Sequence, residues 1–249
     1  MRERLPGSLA ARRWAGAAIA LAAAAAVGWV ITTGGLFAQA SRAETKPAEI
    51  RELTLPDGSV VTVGAQSQVD HEFTAKQRRA RLTDGDAFFV VSTEAARPFI
   101  VSVDDVRITA VGTRFEVRRR SEGVNVAVAD GSVEVSWPDA EPVRLQAGEA
   151  VMVRKQTQPT VQSIAARDIG AWRQGRLVFD DATLGDLVSD ANRYGTVRIV
   201  IEEPALAKER INTSFRVAQV EGVLQSLQAV LPVTVQRADN GDIVLRARR

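Results

Sequence analysis

Few residues in this 249-residue chain could do covalent or metal chemistry, because it holds one histidine and no cysteine. A Ser-His-Asp relay would have to use His71, and neither a His-rich metal site nor a thiolate site can be assembled. His71 lies in Asp70-His71-Glu72, a polar stretch expected to be a strand end or loop with a solvated imidazole, and no nucleophile elbow accompanies it. Asp84-Gly85-Asp86 offers two carboxylates, but a calcium loop needs oxygen ligands spread over about twelve positions, and Ala87-Phe88-Phe89 follows at once. That triplet reads as a turn. Asp104-Asp105, Asp180-Asp181 and Glu202-Glu203 are adjacent pairs, which on a strand point to opposite faces and cannot share one bond to be cleaved. Without a glycine-rich phosphate cradle either, the residues predict no catalysis, no cofactor and no metal.

The elements that carry these residues begin with a basic tail. Residues 1–13 hold Arg2, Arg4, Arg12 and Arg13 against Glu3, whereas the net charge of the whole chain is +2. The body is therefore close to neutral, with charges of both signs interleaved, and lacks the basic stripe of a nucleic-acid binder. Residues 14–37 contain no charge and include the apolar run WAGAAIALAAAAAVGWVI, near the length of about 20 residues that spans a bilayer. The flanking arginines put the amino terminus in the cytoplasm and the bulk of the chain in the periplasm. The expectation is a single-pass inner-membrane protein. Ala38-Gln39-Ala40 before Ser41 also has the form of a signal-peptidase site, and cleavage there would release a soluble product. Residues 38–49, polar and containing Pro47, read as a juxtamembrane linker.

From residue 50 to about 154 the hydropathy alternates with period two, broken by turn signals. Strands are expected near 53–55, 60–63, 79–82, 87–91, 99–103, 106–111, 114–118, 124–128 and 132–135. About ten strands of this length are too many for one flat sheet, so a sandwich, roll or solenoid is expected over 50–165. Residues 171–249 differ. Leu184, Leu187, Val188 and Ala191 form a helical stripe behind Thr183, a candidate N-cap. A second helix is expected over 221–230, with strands at 176–179, 197–201, 211–217, 233–236 and 243–246. The order βαβ then βαββ predicts a small α+β unit, one sheet with two helices on one face.

Several short segments occur in a fixed order: LPDGS at 55–59, Ala65 and Ser67, RARLTDGDAFFVV at 79–91, RPFIV at 97–101, VGTRFEV at 111–117, ADGSVEV at 129–135 and LQAGE at 145–149. The longest is AWRQGRLVFDDATLGDLVSDANRY at 171–194. Each alone is a turn or a strand; together they resemble the FecR family of sigma-factor regulators. The last 80 or so residues are similar to the short α+β domain found in that family and at the amino termini of secretins and signal-transducing TonB-dependent receptors. The resemblance implies an enzymatically inert inner-membrane regulator of an extracytoplasmic-function sigma factor. It would sense a TonB-dependent receptor of the iron–siderophore kind by contact with the receptor's signalling domain, and act through regulated proteolysis. Addition of a strand to an exposed sheet edge is the implied mode of contact. Its candidate residues are Val197, Ile199, Ile201, Ile211, Phe215 and Val217. Two departures stand out: the family's cytoplasmic helical domain that holds the sigma factor is not found in the thirteen residues before the apolar run, and Gly64 stands where the family more often has Asn. A periplasmic module binding glycan or another envelope ligand, without sigma-factor control, is the alternative.

Overall fold

The computed structural model describes residues 39–154 and 157–248. The expected membrane segment and the basic tail lie outside them, and no helix among the described residues is long and apolar enough to cross a membrane.

The strands of the first unit are β1 (Gln39–Glu44), β2 (Arg51–Thr54), β3 (Val60–Val63), β4 (Gln68–Phe73), β5 (Arg78–Asp84), β6 (Asp86–Val90), β7 (Phe99–Val103), β8 (Val106–Ala110), β9 (Arg114–Arg120), β10 (Gly123–Asp130), β11 (Ser132–Ser136), β12 (Val143–Gln146), β13 (Glu149–Arg154) and β14 (Val161–Ser163). They form two seven-stranded sheets, ordered β1-β4-β5-β7-β8-β11-β12 and β14-β13-β10-β9-β6-β3-β2. Alternation dictates the packing: Phe99, Val101 and Val103 of β7 and Val106, Ile108 and Ala110 of β8 point inward to meet Val61, Phe89, Phe115 and Val126 of the facing sheet. Each valine, isoleucine or phenylalanine among them contributes about 1.5–3 kcal/mol on leaving water. Of the sandwich, roll or solenoid expected, the arrangement present is a sandwich, with fourteen strands among the described residues where about ten were expected.

The chain changes sheet between β5 and β6, β8 and β9, β10 and β11, and β12 and β13, and at each corner stands a glycine with φ between 68° and 82°. These corners turn the chain from one layer into the other rather than back along its own sheet. One end of the sandwich is closed by Arg78, whose side chain is fully buried. Its guanidinium donates to the carbonyls of Arg97 (2.6 Å) and Ser92 (2.9 Å) and to Asp57 Oδ2 (2.9 Å). The LPDGS turn thus supplies the counter-charge for a buried arginine as well as a tight bend.

Two expectations fail here. The stretch around His71 is not a loop: β4 is a full strand between β1 and β5, and the imidazole is half-buried, edge-on to Phe73 at 5.8 Å, with Nδ1 buried and unpaired. Burial pushes its pKa down. The first half of the expected linker is an edge strand, β1, which turns Ala43 into the core and pairs Arg42 with Asp70 across the ladder. Both strands are polar because their outer face is solvated and they draw stability from the ladder, so neither shows clean apolar alternation.

The second unit runs β15 (Arg176–Thr183), α1 (Leu184–Tyr194), β16 (Ile199–Ile201), β17 (Arg210–Arg216), α2 (Val220–Leu227), β18 (Val233–Arg237) and β19 (Ile243–Ala247), the expected order. Thr183 caps α1 in a reciprocal box with Asp186. The strands do not form one sheet. β15 and β17 make an antiparallel ribbon, while β16, β19 and β18 make a separate three-stranded sheet. The helices' apolar residues share one cluster with Leu177 and Phe215 of the ribbon and Ile199, Val233, Ile243 and Leu245 of the sheet, which is more surface than a single layer could cover.

Candidate functional site

Helix α1 carries two buried stripes. Leu184, Leu187, Val188 and Ala191 pack within their own unit, and Asp186, Asp190 and Tyr194, spaced four apart, are buried on a second face. That polar face meets the outer side of the second sheet, where the cross-strand row Thr62, Phe88, Glu116, Ala127 and Ala150 would otherwise face water. Phe88, Ala127 and Ala150 share one apolar cluster with Trp172 and Leu187, so the two units are joined by a continuous core.

At its centre lie four charged groups. Asp86 Oδ1 accepts from Arg120 Nη1 (2.8 Å) and Arg118 Nε (3.2 Å), while Oδ2 accepts from the Tyr194 hydroxyl (2.6 Å). Asp190 Oδ2 accepts from Arg118 Nη2 (2.7 Å) and Arg120 Nη2 (3.2 Å). Two carboxylates from different units thus share two guanidiniums from one strand. Beside them Glu116 accepts from Trp172 Nε1 (2.5 Å) and from the Gly170 N–H (3.1 Å), and the Ser121 hydroxyl donates to Asp186 (3.0 Å). The glycines next to this site make room for it: a Cβ on Gly64 would lie 2.4 Å from the Tyr194 hydroxyl oxygen, and one on Gly85 would lie 2.5 Å from Arg193 Nη1. Asp84-Gly85-Asp86 is a turn, as expected, and also a docking point. Among the described residues no group of three or more acidic or histidine side chains is placed to hold a metal.

The electrostatics follow from burial and partner count. Burial alone would raise the Asp86 carboxyl, but Arg118 and Arg120 outweigh it and hold it far below the usual range. Burial raises Asp190, against the pull of the same arginines, and raises Glu116. Burial likewise pushes the Tyr194 hydroxyl well up, with the Asp86 charge adding to it. Asp57 behaves like Asp86: burial raises it, and Ser59 and Arg78 more than reverse this. A carboxyl depressed by folding stabilises the fold above its unfolded value near 4 and loses that contribution as pH falls through the folded value. Asp190 and Glu116 act in the opposite sense, since protonating a raised carboxyl favours the folded state. The expected outcome is a loss of stability below about pH 4 that Asp86→Asn makes shallower, read as urea midpoints against pH; an unchanged acid limb would mean that Asp86 does not set it.

The six edge residues named from the sequence fall into two groups. Ile199, Ile211 and Phe215 are buried, and Val197, Ile201 and Val217 are half-buried against the same cluster. Val197 precedes β16, and Val217 follows β17 in a short 3-10 turn. Their side chains serve the unit's own core, so any strand addition here would use backbone groups. At β16 the outer edge is partly taken: Asn192 donates to the Ile199 carbonyl (2.8 Å) and accepts from its N–H (2.7 Å). In β18, the opposite border strand, the Val235 N–H donates to Gln228 (2.9 Å). β17 pairs with β15 alone among the described residues.

Sequence reasoning missed Asp86, Glu116, Arg118, Arg120, Trp172, Asp190 and Tyr194, all of which lie in or beside segments read as scaffold. The readable signal was the four-residue spacing of Asp186, Asp190 and Tyr194.

Comparison with known proteins agrees with this architecture. The family model described as FecR protein matches residues 41–134, and that described as FecR, C-terminal matches residues 176–245. Two crystal structures of a candidate anti-sigma factor from Parabacteroides distasonis ATCC 8503, at 2.50 and 1.65 Å, are similar to this chain. They align with TM-scores of 0.76 and 0.75 at 26% and 27% identity, covering 84% and 82% of this chain and 99% and 98% of theirs. No curated protein matches. With both family regions present in order and the same architecture in these solved structures, the chain belongs to the FecR family.

Proposed function

We propose that this chain is a regulatory, non-enzymatic protein that controls a sigma factor of the extracytoplasmic-function class. In this reading residues 14–37 anchor it in the inner membrane, the described residues lie in the periplasm, and the second unit receives the signalling domain of a TonB-dependent receptor. The observation that carries the proposal is the union of the two FecR-family regions by a buried ionic junction. A receiver fused to the sandwich in this way can transmit a change at its own surface, where a flexible linker could not. β15 and β17 each have a strand partner on one side alone among the described residues, and of the two it is β17, which carries Ile211 and Phe215, that offers its backbone in this reading.

The test is recovery of partners from host membranes with a carboxy-terminally tagged full chain. A sigma factor and a TonB-dependent receptor are both expected to co-purify. A proline at Thr213 or at Ser214 removes a backbone donor from one side of β17 or the other; the variant that blocks the open side is expected to lose the receptor and keep the sigma factor. Recovery of neither partner by the unaltered chain would refute the proposal and favour a periplasmic ligand-binding module.

A further inference from the structure

Two non-glycine residues beside the junction adopt left-handed backbone, Ala48 (φ 57°) and Gln66 (φ 46°). Such a conformation costs an L-residue energy and persists where the surroundings over-determine it. Both residues are held by one side chain and backbone of the second unit. The Ala48 N–H donates to the Arg193 carbonyl at 2.9 Å, and Arg193 Nη1 donates to the carbonyls of Gln66 and, at 3.3 Å, Ala65. Nη2 lies 3.6 Å from Asp84, and the guanidinium passes through space that a side chain on Gly85 would fill. The Arg193 side chain is 12% exposed, and its buried Nε has no partner among the described residues, so the group is placed for its carbonyl contacts.

The strained corner in turn holds the start of the sandwich. Thr45 N–H donates to the Ser67 carbonyl (3.1 Å), the Thr45 hydroxyl accepts from Ser67 N–H (2.9 Å), and Gln66 N–H donates to the Lys46 carbonyl (3.1 Å). Beyond these bonds β1 is held by its ladder with β4 and by the Arg42–Asp70 pair at the surface. It is a border strand paired with β4 alone among the described residues, and Ala43 is the one core residue among its described side chains, where β5 places Arg78, Ala80 and Leu82 inside. A strand with so few buried contacts belongs to the low-stability end of a fold.

We propose that Arg193 pins a releasable corner: when α1 leaves the sandwich, Ala48 and Gln66 relax, the bonds around Thr45 break, and residues 39–49, β1 included, come free and become open to proteolysis. The device links the second unit to the segment that leads toward the amino terminus, and it works whichever partner moves α1.

The test is amide hydrogen exchange on the full chain in detergent micelles, comparing wild type with Arg193→Ala. Peptides covering residues 40–49 are expected to exchange at least about tenfold faster in the variant, with β9, β10 and β19 unchanged, and a glutamate-specific protease is expected to cut after Glu44 or Glu49 sooner. Unaltered exchange at 40–49 would overturn the proposal. So would an equal acceleration in every strand, because Arg193 would then contribute to global stability alone. If Arg193→Ala does not fold, Arg193→Lys, which keeps the charge but loses the fork, is expected to give a smaller acceleration confined to the same residues, and its absence would overturn the proposal equally. Neither readout involves a receptor or a sigma factor, so failure here is separate from failure of the partner assignment.

Discussion

Asp86→Ala is expected to lower the unfolding free energy by about 3–5 kcal/mol, the cost of stripping the partner from a buried ion pair. The size follows from what is left behind. The side chains of Arg118 and Arg120 are 13% and 10% exposed, and both would turn to Asp190 as their shared acceptor, while the Tyr194 hydroxyl would lose its acceptor altogether. Water cannot readily replace the lost carboxylate, because the Asp86 side chain itself is fully buried. Asp86→Asn keeps one oxygen acceptor, for the arginines or for Tyr194 but not at both places, so it should cost less than the alanine. A double-mutant cycle with Tyr194→Phe isolates the inter-unit bond, for which a coupling of about 1.5–3 kcal/mol is typical of a hydrogen bond to a charged group. Urea denaturation gives these values if the slope is unchanged. A loss below about 1 kcal/mol for Asp86→Ala would show that the arginines swing into solvent and that apolar contact alone joins the units.

Why the junction was hidden in the sequence, when most of the strands were not, is a matter of distance along the chain. Strands such as Val60–Val63 and Phe99–Val103 were legible because the core selects alternating side chains locally, and the cap at Thr183 was legible because its partner Asp186 is three residues away. Asp86 and Tyr194 are 108 residues apart, and Arg118 and Asp190 are 72 apart. Nothing local marks such pairs. A charged residue on a strand's outer face normally means solvent, and the outer faces of β6 and β9 carry Asp86, Glu116 and Arg118 because another unit covers them. The same default hid β4, whose Asp70-His71-Glu72 gives no apolar alternation, and β1, which among its described side chains contributes one small one to the core. Gly85 was legible as a bend and Gly64 as a departure from the family pattern, neither of them as a clearance, since the side chains they make room for include those of residues 193 and 194. The six edge residues were rightly placed on strands or at their ends, yet their burial in the unit's own cluster shows that apolar character on a border strand reports the core behind it before it reports a partner.

Trp172→Ala is expected to be as costly, about 3–5 kcal/mol, and to change the form of unfolding as well as its midpoint. The indole is 2% exposed, lies 5.8 Å from the Tyr194 ring, and hydrogen-bonds Glu116 across the junction. It sits in a single 3-10 turn bounded by Gly170 and Gly175, both with left-handed backbone (φ 68° and 71°), so its position is set by a short rigid bridge between the units. Truncation opens a cavity beneath α1 and leaves Glu116, already raised by burial, with the Gly170 N–H and Arg118 at 3.5 Å as its remaining partners. The continuous core that makes the two units unfold together is then interrupted at its midpoint. Wild type is expected to show one calorimetric transition whose enthalpy equals the van't Hoff value, and Trp172→Ala two, with the second unit melting first because its sheets have three strands or fewer. Adding Glu116→Gln should recover part of the loss, since a neutral amide is cheaper to leave half-paired than a carboxylate. If Trp172→Ala instead melted in one transition, merely at lower temperature, the coupling between the units would rest on the Asp86, Arg118, Arg120 and Asp190 cluster, and the indole would be a packing residue of the second unit.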